Sequence, residues 1–358
     1  MLQLAELVTE LERQNGAKYD IVVPTSALCA TSFGAPGHSE MDIVIQGGTE
    51  QRGAYGLTEW AHVQLADKLG IPKRYYDRIR GAGFHGLLAE NVNAWINEKE
   101  RRLVRVMDGR IRAFLSDKYK LMDNLPLLVA TLEYLKENDF NVDVHRCDLT
   151  ETRMYVKVVQ PYNIAEIREG DKVIPGLMLS NSEVGAGKWK LEPFMLRLLC
   201  SNGMIGEEVI SRIHLGERMG EGIYSEQTKQ LEDELVWSKV RDVIDVTFDD
   251  QHFREWVDRL RRGTEVEVES PVAVVENVAV DYVITDEGKR DLMDYFTVKE
   301  DPTQWGVANA MTRLAQTQEN VDEQIRLERA GNKIGTMEET DFRELSKERK
   351  REEEPKKK

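Results

Sequence analysis

Asp108-Gly109, set between two runs in which apolar and polar residues alternate, restricts the fold of this chain more than any other local signal. A two-residue hairpin loop of type I′ needs positive φ at both central positions, which Asp tolerates and Gly adopts freely. Such a loop sets a register. Met107 faces Arg110, Val106 faces Ile111, Arg105 faces Arg112, Val104 faces Ala113 and Leu103 faces Phe114. One face then holds Val104, Val106, Ile111 and Ala113 and belongs against a core, while the other holds Arg105, Arg110 and Arg112 beside Met107 and Phe114. Arg105 directly opposite Arg112 is unfavourable unless an acidic neighbour or an anionic ligand sits between them.

The rest of the chain reads as an α+β protein: a central, mainly antiparallel sheet with packed helices, followed by a helical C-terminal region. Leucines 4, 7 and 11 follow helical spacing, and the start carries Glu6, Glu10 and Glu12, unlike a signal-peptide core. Tyr19 to Pro24 and Met41 to Gln46 read as strands, separated by the loop Ser32 to Glu40. Thr58 caps a helix that Gly70-Ile71-Pro72 ends, and a second helical stretch runs through Trp95. From Arg101 to Met204 the period is mostly two, interrupted by a helix over Leu125 to Asn138, with Asp123-Asn124 as its cap. Beyond Gly206 helices are expected at Ser225 to Val246, Asp250 to Arg261, Pro271 to Val283, Glu287 to Phe296 and Thr303 to Arg329. Ser270-Pro271 and Thr285-Asp286 read as further caps. The division expected is a lead over 1–55, an α+β core over 56–205, a helical region over 206–335 and a charged flexible tail over 336–358. In the last stretch only Phe342 and Leu345 offer apolar material, so it has no expected role in the fold.

The net charge of -15 opposes non-specific attraction of the whole chain to nucleic acid or anionic lipid. Charge is nevertheless segregated: Ile71 to Lys120 carries +6, which leaves -21 on the remainder. No apolar run approaches the ~18 residues of a membrane span. Cys29, Cys147 and Cys200 are odd in number and far apart, which suits reduced thiols in a reducing, cytoplasmic compartment.

The division of the hairpin repeats elsewhere. Arg153, Tyr155 and Lys157 alternate with Met154, Val156 and Val158, and Lys188 and Lys190 alternate with Trp189 and Leu191. Basic rows interleaved with rings suit a surface that tracks phosphates and stacks bases. The residues expected to contact nucleic acid are therefore Arg105, Arg110, Arg112, Phe114, Arg153, Tyr155, Lys157, Lys188 and Lys190. The competing reading is an ordinary sheet face whose partners are acids from the helical half.

Gly185-Ala186-Gly187-Lys188 lacks the earlier glycine and the following Ser or Thr of a phosphate loop, and reads as a hairpin tip. His145 and Cys147 share a strand face but find no second pair for zinc, and no cofactor or metal is expected. Two polar stretches, Ser180, Asn181, Ser182 and Glu183 with Ser201 and Asn202, form a candidate ligand edge on one side of the sheet.

Several of these segments also carry a resemblance. Leu57-Thr58-Glu59-Trp60-Ala61, Gly70-Ile71-Pro72 with Tyr75-Tyr76, Arg110 through Tyr119, Leu179 through Gly185, Arg197 through Met204 and Trp305 through Arg313 are similar to motifs of the phage/plasmid-like proteins grouped as domain of unknown function 932. The resemblance spans Tyr19 to Ile334 and implies a gene carried by a phage, prophage or plasmid, but no reaction. The function expected first is non-catalytic binding of nucleic acid, single-stranded DNA above all, with annealing in recombination or replication and a homo-oligomeric form; the architecture of phage annealing proteins supplies that analogy. The alternatives are a metal-dependent enzyme acting on nucleic acid or nucleotide at the Asn181 and Asn202 edge with Asp117, and a host-interaction or assembly protein acting through its acidic helices.

Overall fold

A computed structural model describes residues 2–32, 40–46, 53–96, 100–200, 202–206 and 226–349, with backbone alone at 226–233 and 236. Helix α1 (Leu4–Ala17) buries Leu7 and Leu11 and leads directly into β1 (Lys18–Pro24). Strands β2 (Leu28–Thr31), β3 (Asp42–Ile45) and β4 (Gly53–Leu57) follow, then helices α2 (Glu59–Lys68), α3 (Lys73–Gly81) and α4 (His85–Trp95), and the hairpin β5 (Arg101–Met107) and β6 (Arg110–Ser116). These six strands form one sheet in the order β1-β5-β6-β4-β3-β2, antiparallel except where β4 runs parallel to β6. Strands from the expected lead thus complete the sheet of the hairpin, so the chain does not divide at residue 55. One face of this sheet packs Ile21, Val104, Val106, Ile111 and Phe114 against Ala61, Leu65, Tyr76, Ile79, Leu88 and Val92 of the three helices.

The second sheet, order β12-β11-β10-β8-β7, holds β7 (Asp143–Leu149), β8 (Met154–Val159), β10 (Asp171–Asn181), β11 (Lys190–Arg197) and β12 (Gly203–Ile205), with the short β9 (Ala165–Arg168) beside β10. The fold is therefore α+β and mainly antiparallel, as expected, but built on two sheets. Helix α5 (Asn124–Glu137), α1 and α6 (Glu226–Thr247) cover one face of the second sheet through Leu127, Leu128, Leu7, Leu11, Val243 and Ile244, which meet Met154, Val156, Val158 and Leu177.

The C-terminal helices are α7 (Asp250–Glu265), α8 (Pro271–Asp281), α9 (Asp286–Lys299), α10 (Gln304–Gln316), α11 (Val321–Thr336) and α12 (Glu339–Leu345). The caps read from the sequence operate: Thr58 Oγ1, Ser270 Oγ and Thr285 Oγ1 accept from Ala61, Ala273 and Gly288 amides, each worth about 1 kcal/mol. Two expectations change. The stretch Thr303 to Arg329 is two helices, because Asn320 caps a new start by accepting from the Glu323 amide. The charged tail is anchored as far as α12: Phe342 and Leu345 are buried in the C-terminal core, and the Asn277 side chain donates to the Leu345 and Lys347 carbonyls. Residues 350–358 lie outside the described residues.

Candidate nucleic-acid interface

The turn at Asp108-Gly109 forms as its chemistry requires, with φ of 51° and 73°. Met107 pairs with Arg110 and Val106 with Ile111, but a bulge then makes Arg105 face Ala113, Val104 face Phe114 and Leu103 face Leu115. One extra residue, Arg112, is absorbed, and every later side chain of β6 changes face. Phe114 therefore belongs to the core against α2 to α4, whereas Ala113 joins Leu103 and Leu115 on the opposite face.

That opposite face is covered by the β10–β11 connection, residues 182–189. Val184 packs on Leu103, Ala113 and Leu115, and its carbonyl accepts from Trp60 Nε1 at 2.9 Å and Gln64 Nε2 at 2.8 Å. Glu183 is the charged centre of the contact. Its Oε2 lies 2.8 Å from Arg112 Nη1, its Oε1 lies 3.1 Å from Lys18 Nζ, and Oε1 also accepts from the Asn124 amide at 2.8 Å. The start of α5 is thus capped by Glu183 from a distant loop, while Asp123, the expected cap, has no such bond and pairs with Lys18 and Arg105. Arg105 is 2% exposed and is saturated by Asp20, Asp123 and the Glu183 carbonyl. Burial pulls Arg105 down, but Asp123 and Asp20 hold it above its ordinary value. Burial pushes Asp123 up, but Arg105 and Lys18 hold it below the usual carboxylate range. The acidic neighbour required between Arg105 and Arg112 comes from within the chain.

The basic row of β8 is closed in the same way. Helix α11 crosses it: the Tyr155 hydroxyl donates to Asp322, Lys157 Nζ lies 2.5 Å from Glu328, and Arg153 sits 3.9 Å from Asp322 and donates to the Ala186 carbonyl. Tyr155 and Lys157 are buried. Lys190 is half-buried, 3.8 Å from Glu192, which also takes the fork of Arg329. Lys188 is exposed at the tip but engaged, and Arg110 is exposed with its guanidinium on the Leu57 carbonyl at 2.5 Å. Of the nine expected contacts, Arg105, Arg112, Phe114, Tyr155 and Lys157 are interior, because both faces of each sheet are covered where they stand.

The ligand edge does not assemble either. Ser180 and Asn181 end β10, where Asn181 Nδ2 donates to the Met122 carbonyl and Asn124 Oδ1, and Ser182 Oγ accepts from the Ala186 amide. Asn202 stands at the other end, beside Arg197 and level with Val173, because antiparallel β11 carries the chain back along β10. At 3.3 Å per residue the two asparagines are separated by ~26 Å along the strand direction. Asn202 Nδ2 instead donates to Thr312 Oγ1 of α10 at 2.5 Å. Ser201 lies outside the described residues.

What remains open is the outer face of α3. At 100° per residue its positions divide into three stripes. Tyr76 and Ile79 face the core, Lys73, Asp77 and Arg80 form an ion-paired stripe with Glu40 and Glu59, and Arg74, Tyr75 and Arg78 face solvent. Arg74 and Arg78 make no ion pair among the described residues. Tyr75 is 45% exposed and Phe84, in the turn into α4, 61%. The signal for this patch was present in the +6 segment, which begins at Ile71; its period is that of a helix, and a search for strand-spaced rows passes over it.

Among the described residues no group of three His, Cys, Asp or Glu is placed to hold a metal ion. No helix among them is long and apolar enough to cross a membrane. No family model, curated protein or solved structure matches the chain, so its assignment rests on its own residues and geometry.

Proposed function

We propose that the protein binds nucleic acid, single-stranded DNA first, along the outer face of α3 and the turn into α4. The observation that carries this reading is the combination of two exposed guanidinium groups, Arg74 and Arg78, without an ion pair among the described residues, with the exposed rings of Tyr75 and Phe84 on one short stretch. Arginines four apart on a helix share a side, so both reach one phosphate chain. The Tyr75 ring beside them offers a base a stacking surface worth about 1 to 3 kcal/mol. The strongly negative total charge confines any such contact to a local patch. A phage or plasmid setting, with a part in recombination or replication, belongs to the proposal through the resemblance of the motifs around Trp60, Asn181 and Trp305.

Fluorescence anisotropy of a labelled single-stranded oligonucleotide, repeated over a salt series, tests it. Replacing Arg74 and Arg78 together by Glu is expected to weaken binding and to reduce the log–log salt slope by about 1.4, at about 0.7 per phosphate contact on single strands. A folded double variant with unchanged affinity and slope would sink this surface as the interface.

A further inference from the structure

On the other side of α3 lies a cavity of about 650 Å³, walled by Glu40, Glu59, Trp60, His62, Asp77 and Arg80 among others. That is room for a small organic molecule. Its charge is opposite to that of the outer face. Among the described residues Glu40, Glu59, Asp77 and Glu151 line it against Lys73 and Arg80, and both cations are already engaged, Lys73 by Asp77 and Arg80 by Glu59 and Glu40. A phosphate would meet spent cations and surplus carboxylates.

His62 is the second, independent feature. It is 2% exposed, and its Nδ1 is 2.7 Å from the Tyr76 hydroxyl, yet Nε2 has no hydrogen-bond partner among the described residues. A buried ring nitrogen without a partner costs free energy that a ligand recovers. The nearest carboxylate oxygen, Glu40 Oε2, is 3.7 Å from Nε2. That separation is too long for a hydrogen bond between them. It does suit one nitrogen placed about 2.8 Å from each, the length of a charge-assisted bond. Burial and then the positive charge of Arg80 hold the imidazole down to about 4, so the ring is neutral and offers a lone pair when Nδ1–H donates to the Tyr76 oxygen. His85, also in the wall, has a buried Nδ1 without a partner among the described residues.

We infer that this cavity is a binding site for a small organic cation with a primary ammonium head, held between His62 Nε2 and the Glu40 carboxylate with Glu59 and Glu151 supplying the surrounding negative charge. Trp60 contributes an aromatic wall whose indole is pinned to the Val184 carbonyl. The site is separate from the nucleic-acid patch and does not depend on it.

Isothermal titration of the full chain with putrescine, and with inorganic phosphate and adenosine monophosphate as anionic controls, tests the inference. Putrescine is expected to bind saturably with 1:1 stoichiometry and to shift the ¹⁵N resonance of His62 Nε2, while neither anion binds in the cavity. Glu59 is mostly exposed, so Glu59→Gln preserves the fold, and it is expected to weaken putrescine at least about tenfold. Two results overturn the proposal: no saturable putrescine binding, or binding that persists unchanged in Glu59→Gln without a His62 shift. The latter is diffuse counterion attraction to an acidic protein.

Discussion

Replacing Glu183 by Gln tests whether the contact between the two sheets is held by charge. Gln keeps the size of the side chain and an oxygen for the Asn124 amide, and removes only the negative charge. Lys18 retains Asp123 at 2.9 Å. Arg112 does not fare as well: among the described residues Glu183 is its only hydrogen-bonded partner, and the two side chains are 7% and 2% exposed. The variant thus leaves one buried, uncompensated guanidinium, a situation that costs about 3 to 5 kcal/mol. That is between about two and three and a half orders of magnitude in the unfolding equilibrium. The exposed pair of Arg13 and Asp108, with side chains 48% and 50% exposed, is the internal control, and Arg13→Gln should cost under about 1 kcal/mol. Urea denaturation of both variants measures the difference. Adding Arg112→Met to Glu183→Gln removes the orphaned charge and should recover most of the loss, which a double-mutant cycle reads directly. A cost below about 1 kcal/mol for Glu183→Gln, or no recovery in the double variant, would refute the account of Glu183 as a buried counter-ion.

Phe342 is 1% exposed within the C-terminal core, so Phe342→Ala should cost about 3 to 5 kcal/mol in the same denaturation assay; a solvated tail would lose almost nothing. His62 makes stability depend on mild acid. Its value falls from an ordinary 6.5 to about 4 in the fold, so between those limits the unfolded chain binds the extra proton. The contribution is fully present above about pH 6.5 and disappears as pH falls toward 4, amounting to about 3 kcal/mol. The pH dependence of the urea midpoint between 7 and 4.5 should flatten in His62→Gln, and an identical slope in the two proteins would count against a buried neutral ring.

Local chemistry was readable in the sequence wherever it alone decides the structure. The turn at Asp108-Gly109 and the caps at Thr58, Ser270 and Thr285 depend on one residue and its immediate neighbours, and all four form. The bulge in β6 is different. A single residue is taken up so that Phe114 reaches the core above α2, where Gln64 Oε1 accepts from its amide. That preference lives in the packing of the sheet against α2, fifty residues earlier in the chain, and leaves no trace in the alternation of the strand. The partners of the cations are equally distant: Glu183 is 71 residues from Arg112, and Glu328 is 171 from Lys157.

A basic row at strand period is therefore ambiguous until the acids that the same chain packs over it are placed. Asp322 and Glu328 of α11 are six residues apart, about 9 Å along a helix axis. Tyr155 and Lys157 of β8 are two apart, about 7 Å along a strand. Six residues are also about 120° apart around the helix, so the two carboxylates leave different sides of α11, and the long side chains of β8 reach them: the Tyr155 hydroxyl donates to Asp322 and Lys157 Nζ to Glu328. The segregation of charge along the sequence then has an internal meaning for the sheets, whose cations meet acids from elsewhere in the fold. Arg74 and Arg78 meet no acid among the described residues: α3 turns its core stripe inward, pairs the exposed Lys73 with Asp77 and Arg80 with Glu40 and Glu59 along one flank, and leaves the third stripe facing solvent. Whether a cation of this chain is closed into the fold or left to solvent depends on the arrival of an internal acid, and the sequence count of charges does not contain that information.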